Sequence, residues 1–197
     1  MAPFKSAGED GIYPILLQKV LGQLLNPLCS IYRASLALGY IPNIWILSRV
    51  AFLPKPGKTD YTTFRPIRLS SFVLEGLEKL IDRYLHGGPL VTVPLHPRQH
   101  AFQTGLVCRK CRPSTGGRME KALDAKEYAL GVFFDIEGAF DNTSSTCVKN
   151  AVADWEVHRA MCNWIAALIH HRIVNTTMLV ISASRGLPQG GGLSPLM

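Results

Sequence analysis

The most constraining feature of this 197-residue chain is an uncharged apolar run that ends in carboxylates. The run covers residues 128–134 (Tyr-Ala-Leu-Gly-Val-Phe-Phe), and Asp135-Ile136-Glu137 follows it. This composition predicts a buried strand. Because side chains alternate along a strand, Asp135 and Glu137 would point to the same face. The sequence therefore predicts carboxylates at a strand end, where they either cap the next turn or hold Mg²⁺.

Positive charge is concentrated in the first two thirds of the chain. Residues 1–124 hold 16 Lys and Arg and 8 Asp and Glu, whereas residues 125–197 hold 5 and 6, for a net charge of +7. This distribution indicates a polyanionic partner, with a solvated basic surface as the alternative. Apolar residues make up 47% and charged residues 18%, which excludes a disordered chain and leaves one domain or two small ones.

The sequence predicts an intracellular protein, nuclear or cytoplasmic. No apolar run reaches the roughly 20 residues of a membrane span, and the first residues do not resemble a signal peptide. The five cysteines are scattered, which favours reduced thiols. Cys108-x-x-Cys111 has the spacing of half a zinc site, but no second pair completes it, so structural zinc is not predicted.

The first half of the chain alternates between helical and strand patterns. Apolar periodicity predicts a helix over 12–24 that Pro27 interrupts and a second helix over 28–38, which Gly39 and Pro42 end. A strand is predicted over 46–53, and residues 64–69 are expected to pair back on it. The result would be a basic hairpin near 52–69 with charged side chains near its tip: Lys55, Lys58, Arg65 and Arg68.

The second half continues the mixed pattern and predicts an α+β protein. A helix is expected over 74–85, followed by a loop over 105–118 and a short helix through Ala122. Further helices are predicted over 148–155 and 159–170, and a strand over 174–181. The chain then becomes glycine-rich, with three successive glycines that would let a backbone approach a ligand closely.

Five segments, taken in order, resemble the reverse transcriptase of non-LTR retrotransposons, most closely the jockey type. The resemblance runs from about Ser6 to the last residue, with a gap at 106–117. The segments that carry it are Phe52-Leu53-Pro54-Lys55-Pro56-Gly57-Lys58, Phe64-Arg65-Pro66-Ile67-Arg68-Leu69-Ser70-Ser71, Gln99-His100-Ala101-Phe102, Phe134-Asp135-Ile136-Glu137-Gly138-Ala139-Phe140-Asp141 and Gly186-Leu187-Pro188-Gln189-Gly190-Gly191-Gly192-Leu193-Ser194-Pro195.

This resemblance implies the fingers and part of the palm of a right-hand polymerase, without its thumb. Residues 1–127 would form the fingers region, and residues 128–197 a partial palm that ends before the Tyr/Phe-x-Asp-Asp motif. The family's enzymes add deoxynucleotides to the 3′-hydroxyl of a DNA primer on an RNA template. Template RNA, primer DNA and deoxynucleoside triphosphates would therefore be the partners. No membrane partner is expected, and the sequence leaves the oligomeric state open.

The resemblance also assigns roles around the reacting phosphate. Asp135 would be the first carboxylate that binds two Mg²⁺ ions, and the backbone carbonyl of Ile136 could complete the shell. Phe140 would lie under the incoming sugar and reject a 2′-hydroxyl by steric clash. Arg65, and with it Lys55, would bind the triphosphate, because a guanidinium fork suits phosphate oxygens.

The glycine-rich segment is implied to contact the nascent base pair. Gln189 would pack against the incoming nucleotide, and the template side would meet Pro188, Gly190 and Gly191. Glu137 and Asp141 belong to the motif of Asp135 but are expected to bond neighbouring backbone rather than metal.

Three departures from the family pattern lead us to expect that this chain is inactive by itself. No Asp-Asp pair occurs in the 197 residues, so the second carboxylate element of the metal site is missing. Glu75 stands where the family usually has Lys, and residues 106–117 do not match. We hypothesise an out-of-frame stretch at 106–117, from a decaying element or a faulty gene model.

Two other functions remain open from the sequence. The first is a non-catalytic nucleic-acid-binding remnant, which would bind through Lys55, Lys58, Arg65 and Arg68. The second is a metal-dependent phosphohydrolase that uses Asp135 and Glu137. Binding that weakens with salt, without turnover, would indicate the first, and Mg²⁺-dependent cleavage would indicate the second.

Overall fold

The computed structural model describes most of the chain. Its described residues are 3–54, 64–96, 99, 117–136, 142–170, 173–175, 180–182, 186–187 and 193. The helices α1–α7 within these ranges are Pro14–Leu38, Asn43–Ile46, Phe72–Gly87, Pro89–Thr92, 117–124, Ser145–Asp154 and Arg159–His170. The strands β1–β4 are Leu47–Pro54, Phe64–Leu69, Ile173–Asn175 and Val180–Ser182.

The four strands form one mixed sheet in the order β2-β1-β3-β4. β1 pairs with β2 in antiparallel fashion and with β3 in parallel fashion, and β3 pairs antiparallel with β4. β1 is therefore a central strand whose partners come from both halves of the chain. The predicted α+β class is confirmed at this level, because helices and a sheet share one fold.

Helix α1 is continuous from Pro14 to Leu38, so the predicted interruption at Pro27 is wrong. A proline inside a helix removes the hydrogen bond to the carbonyl four residues earlier, which is that of Gln23. Residues 21–27 are all exposed, so water can satisfy this carbonyl. The predicted stop at Gly39 is confirmed, because Gly39 caps the helix with a left-handed φ of 59°.

The hydrophobic core joins elements from both ends of the chain. Trp164 on α7 is fully buried, and its Nε1 donates a 2.9 Å hydrogen bond to Oγ of Ser35 on α1. That hydroxyl in turn donates to the carbonyl of Tyr40 at 2.6 Å. Both polar groups are thereby satisfied inside the core. Helices α1 and α7, which lie near opposite ends of the described chain, therefore share this core.

Helix α3 forms the other main wall of the core. Ser71 caps its first turn by accepting hydrogen bonds from the backbone amides of Val73 and Leu74. The apolar spacing that predicts this helix is borne out, because Leu77, Ile81 and Leu85 are each 1% exposed. Glu75 and Lys79, one turn apart on this helix, form an ion pair at 2.6 Å.

Two strand predictions differ from the structure. The predicted buried strand over 128–134 is wrong, because residues 127–136 have no regular secondary structure and are exposed. The predicted strand over 174–181 is instead two short antiparallel strands, β3 and β4. Residues 105–116 of the predicted loop lie outside the described ranges, whereas the short helix after it is confirmed over 117–124. No helix in the described ranges is long and apolar enough to cross a membrane.

Candidate active site

The predicted basic hairpin is confirmed as an antiparallel strand pair. β1 and β2 are in register from Arg49 opposite Leu69 to Pro54 opposite Phe64. Arg65 therefore lies one residue from the described end of β2, on the side of the hairpin loop. Branched and aromatic residues favour this pairing.

Arg68 lies deeper in the hairpin and is committed to the fold. Its Nε donates to Oγ of Ser48 at 2.5 Å, and its Nη2 donates to the backbone carbonyl of Ile46 at 2.8 Å. Ser48 is fully buried, so these charge-assisted bonds are shielded from water. The expectation that Arg68 stands near the hairpin tip is wrong. Its guanidinium instead ties β2 to the end of α2 and to β1.

A cavity of about 310 Å³ lies between β2, the start of α3 and the N-terminal segment. It is lined by both signs of charge, with Lys5 and Arg68 on one hand and Glu75 and Glu78 on the other. Glu78 is only 5% exposed. Because the charges balance, this cavity does not favour a polyanion.

The buried position of Glu78 is a feature that sequence reasoning missed. A signal was present, because Glu78 is four residues after Leu74 and three before Ile81, on the apolar face of α3. A charged residue on that face is expected to have a polar partner in the core. The sequence contains no comparable signal for the role of Arg68, because it does not show to which face of the sheet a residue of this strand points.

The carboxylate predicted to bind metal is in the segment 127–136. This segment follows α5 after a turn in which Lys126 has a φ of 57°. Asp135 is exposed, and its Oδ1 accepts a 3.0 Å hydrogen bond from the backbone amide of Ile136. The neighbouring apolar side chains are also exposed, with Phe134 at 93% and Leu130 at 92%. The carboxylate is therefore accessible to an ion, on a segment that is not packed.

The remaining predicted site residues are not brought together in the described structure. The backbone of Arg65 is placed in β2, but its side chain is outside what the structure describes. Lys55, Phe140, Pro188, Gln189, Gly190 and Gly191 lie outside the described residues, as do Cys108, Cys111, Glu137 and Asp141. Their roles remain predictions from the resemblance.

The described donors do not by themselves make a two-metal site. Mg²⁺ takes about six oxygen ligands, and a two-metal centre needs carboxylates that bridge both ions. Asp135 offers one exposed carboxylate of the right chemistry. Among the described residues, no group of three or more His, Cys, Asp or Glu side chains could hold a metal ion. The described residues alone therefore do not complete a two-metal centre.

Comparison with known families decides the broader assignment. The family model described as reverse transcriptase (RNA-dependent DNA polymerase) matches residues 53–197. This match begins within β1 and includes the hairpin, α3 and the segment that carries Asp135. This chain belongs to the reverse transcriptase family. The resemblance that its motifs indicate is thereby confirmed.

Curated relatives narrow this reverse transcriptase to mobile elements of the jockey type. The RNA-directed DNA polymerase from mobile element jockey of Drosophila melanogaster is 30% identical over 143 residues, 70% of this chain. A probable RNA-directed DNA polymerase from transposon BS of the same species is 29% identical over 139 residues. A putative 115 kDa protein in the type-1 retrotransposable element R1DM is 25% identical and matches 98% of the chain.

The reverse transcriptase chain spans only a small part of these relatives. It matches 15% of the length of the jockey and BS polymerases and 19% of the R1DM protein. The R1DM match extends over nearly the whole chain, whereas the family model begins at residue 53. Helices α1 and α2 therefore precede the family match and still have a counterpart in a retrotransposable element.

Proposed function

We propose that this chain supplies the fingers and the first part of the palm of an RNA-directed DNA polymerase. The reaction is templated addition of deoxynucleotides to a DNA primer on RNA, inside the cell, in the nucleus or cytoplasm. The observation that carries the proposal is the reverse transcriptase match across 53–197. In this division residues 1–127 are the fingers region and residues 128–197 the first part of the palm.

Triphosphate binding is assigned to the hairpin. Arg65 follows directly on the first residue of β2, and Lys55 follows directly on the last residue of β1. Since Pro54 and Phe64 are opposite each other, both cations adjoin the same end of the strand pair in the sequence. Two cations near one end of a hairpin can hold the oxygens of a polyphosphate. Arg68 has no part in this contact, because it is bonded within the sheet.

Metal binding is assigned to Asp135, with the backbone of Ile136 beside it. Members of this family generally depend on Mg²⁺, which supplies Lewis-acid activation of the attacking hydroxyl and charge neutralisation at the triphosphate. The exposed carboxylate of Asp135 has the oxygen chemistry that Mg²⁺ prefers. The 197 residues contain no Asp-Asp pair, so further carboxylates must complete the site.

The palm assignment is supported by the pattern of the segment before Asp135. Its even positions from 128 to 136 are all large and apolar: Tyr128, Leu130, Val132, Phe134 and Ile136. In a strand these side chains share one face, which would be covered in a complete palm. Phe140 is then proposed as the sugar-selecting residue. Gln189, Pro188, Gly190 and Gly191 are proposed as contacts to the nucleotide and the template.

The polymerase proposal is tested in a longer chain that also carries a Tyr/Phe-x-Asp-Asp element. Primer extension on an RNA template is expected there, and Asp135→Asn should lower it about a thousandfold by removing a metal ligand. Asp154→Asn, an exposed carboxylate at the end of α6, is the matched control and should leave extension unchanged. Equal activity of the Asp135→Asn and parent enzymes would contradict the metal assignment.

The same longer chain tests sugar selection. Replacing Phe140 with Val removes the bulk proposed to clash with a 2′-hydroxyl, so ribonucleotides should then be incorporated. The ratio of kcat/KM for deoxyribonucleotides to that for ribonucleotides is the measurement. An unchanged ratio would show that Phe140 is not the sugar gate.

A second candidate is a non-catalytic nucleic-acid-binding remnant, which the net charge of +7 favours. Fluorescence anisotropy with a labelled RNA–DNA hybrid would show affinity that falls with salt. Arg65→Ala should reduce the slope of log K against log salt by about one. Lys79→Ala is the control, because Lys79 is bonded to Glu75. Binding without extension in the longer chain would support the remnant.

A further inference from the structure

An apolar groove runs between α1 and α3, outside the residues proposed for catalysis. It consists of two neighbouring cavities of about 220 and 240 Å³. The first is lined by Leu17 and Leu21 of α1 and by Gly76 of α3, and the second by Leu80 and Tyr84 of α3. Tyr32 lines both cavities, so it is the residue that the two depressions of the groove share.

The groove continues into an exposed apolar face of α1. Leu21 is 46% exposed and Leu25, one turn later, is 50% exposed. On α3, Leu80 and Tyr84 are similarly exposed, at 49% and 45%. Clustered exposed apolar side chains beside concave depressions mark interaction surfaces more often than scattered ones do. This surface is therefore suited to an apolar partner face.

The floor of the groove is preformed. The hydroxyl of Tyr32 donates a 2.6 Å hydrogen bond to the backbone carbonyl of Val73. A Cβ on Gly76 would come within 2.7 Å of that hydroxyl oxygen, so only glycine permits this approach. The Tyr32 ring also packs edge-on against Trp45 at 6.0 Å. A rigid floor lowers the entropic cost of docking.

The spacing of the two depressions fits a helix. Phe72 and Gly76 line the first, and Leu80 and Tyr84 occupy positions eight residues later on α3 and line the second. At 1.5 Å per residue, the depressions are about 12 Å apart. A partner helix aligned with α3 would present side chains at this distance from positions seven or eight residues apart. Helix-in-groove recognition uses anchors of this kind.

The free charges beside the groove are basic. Helix α1 has two charged residues, Lys19 and Arg33, and no carboxylate, and Arg33 lines the second depression. None of the acidic side chains of α3 lines either cavity. Glu75 is paired with Lys79, and Glu78 is buried on the side of the sheet. An acidic partner would therefore be complementary.

We propose that this groove docks an acidic amphipathic helix of a partner polypeptide. Apolar residues seven or eight positions apart fill the two depressions, and flanking Glu or Asp side chains meet Arg33 and Lys19. A second copy of this chain is a poorer occupant, because pairing α1 with itself would bring like charges together on a chain of net charge +7. The proposal is independent of the polymerase assignment.

The test uses two synthetic helical peptides with the same leucine spacing. One carries Glu at its polar positions and the other Lys, and each is titrated into the full chain by fluorescence anisotropy. The Glu peptide is expected to bind at least about tenfold more tightly than the Lys peptide. Equal binding of both peptides, or no binding of the Glu peptide at about 100 μM, would overturn the proposal.

Variants locate the site. Arg33→Glu should weaken the Glu peptide about tenfold and improve the Lys peptide, and Leu80→Glu should abolish binding of both. Leu130→Glu is the matched control, because it changes an equally apolar exposed residue outside the groove. Binding that survives Leu80→Glu would overturn the proposal. So would a dimer in sedimentation equilibrium that Leu21→Glu breaks, since a second copy would then be the occupant.

Discussion

Strand β1 and the segment 128–134 begin from similar sequences and end in opposite environments. Both runs are predicted as strands from apolar, branched and aromatic residues. β1 is hydrogen-bonded on one side to β2 and on the other to β3. Among the described residues, no backbone hydrogen bond involves 128–134, and Tyr128 and Phe134 are almost fully exposed. The two regions differ in partners rather than in composition.

The difference shows that strand propensity becomes a strand only when neighbours are available. β2 begins ten residues after β1 ends, and β3 lies more than a hundred residues further along the chain. Pairing satisfies the backbone donors and acceptors of β1. The segment 128–134 has similar side chains, but in the described structure it belongs to no strand and is exposed.

Proline substitution should produce the largest difference in lost stability between β1 and the segment 128–134. Arg49 lies opposite Leu69 in β2 and opposite Asn175 in β3. Its backbone amide therefore meets a neighbouring strand whichever side of β1 it faces. Arg49→Pro should lower the free energy of unfolding by about 3 kcal/mol or more. Val132→Pro should change it by less than about 0.5 kcal/mol. Urea unfolding followed by circular dichroism is the measurement.

Arg49→Ala controls for the ion pair that Arg49 forms with Glu9 at 3.2 Å. This exposed pair contributes less than about 1 kcal/mol, so Arg49→Ala should be mild. If Val132→Pro were as damaging as Arg49→Pro, the segment would be paired in solution and the comparison would be broken.

Removing a charge from the β1–β2 hairpin and one from the exposed segment that ends at residue 136 should give the next largest difference in the free energy of unfolding. Arg68→Met deletes two hydrogen bonds and leaves Ser48 and the Ile46 carbonyl without these partners, which should cost about 2 kcal/mol. Asp135→Asn on the exposed segment should change the free energy of unfolding by less than about 0.5 kcal/mol. Differential scanning fluorimetry and urea titration can measure both. Equal losses would show that Arg68 is not the anchor of the hairpin.

Removing the hydroxyl of the buried Tyr32 and that of the exposed Tyr128 should give the smallest difference in the free energy of unfolding at neutral pH. Tyr32→Phe removes the buried hydroxyl that bonds the Val73 carbonyl and should cost about 1 kcal/mol. Tyr128→Phe should have no measurable effect, because Tyr128 is fully exposed. Chemical denaturation of the two variants and the parent at pH 7 is the measurement. A cost at Tyr128 equal to that at Tyr32 would contradict the exposed state of the segment.

Tyr32 should also make stability depend on alkaline pH. Burial, with a smaller contribution from nearby Cys29, raises the pKa of Tyr32 to about 12. Unfolded tyrosine ionises near pH 10, so the unfolded state loses this proton first. The contribution of Tyr32 to the free energy of unfolding is therefore fully present below about pH 10 and is lost as the pH rises towards 12. The difference between the parent and Tyr32→Phe in this range isolates the effect, and parallel pH profiles would refute it.

Much of the local structure could be predicted from the sequence. The hairpin of β1 and β2, the helix α3 and the left-handed stop at Gly39 follow from short-range patterns, and all are confirmed. The family assignment also follows from motifs in order, and the match across 53–197 confirms it. These features depend on neighbouring residues or on recurring segments, which a single sequence contains in full.

The wrong predictions, at Pro27 and Arg68, depend instead on surroundings that distant parts of the chain provide. Pro27 continues a helix because the surrounding turns are exposed to water, and Arg68 turns inward because α2 and β1 offer it two acceptors. Neither environment can be read from adjacent residues. The site residues also remain predictions for this reason, since bringing Asp135 near Arg65 is a matter of long-range packing.

The sequence by itself determined the family of this chain and the periodicity of its helices and strands, because both are properties of residue order. Only the tertiary structure decided which apolar runs are buried, which cations are free and where a groove opens. The physical reason is that burial and hydrogen bonding are satisfied by partners distant in the chain. β1 has partner strands from distant parts of the chain and the described segment before Asp135 has none, although both sequences favour a strand.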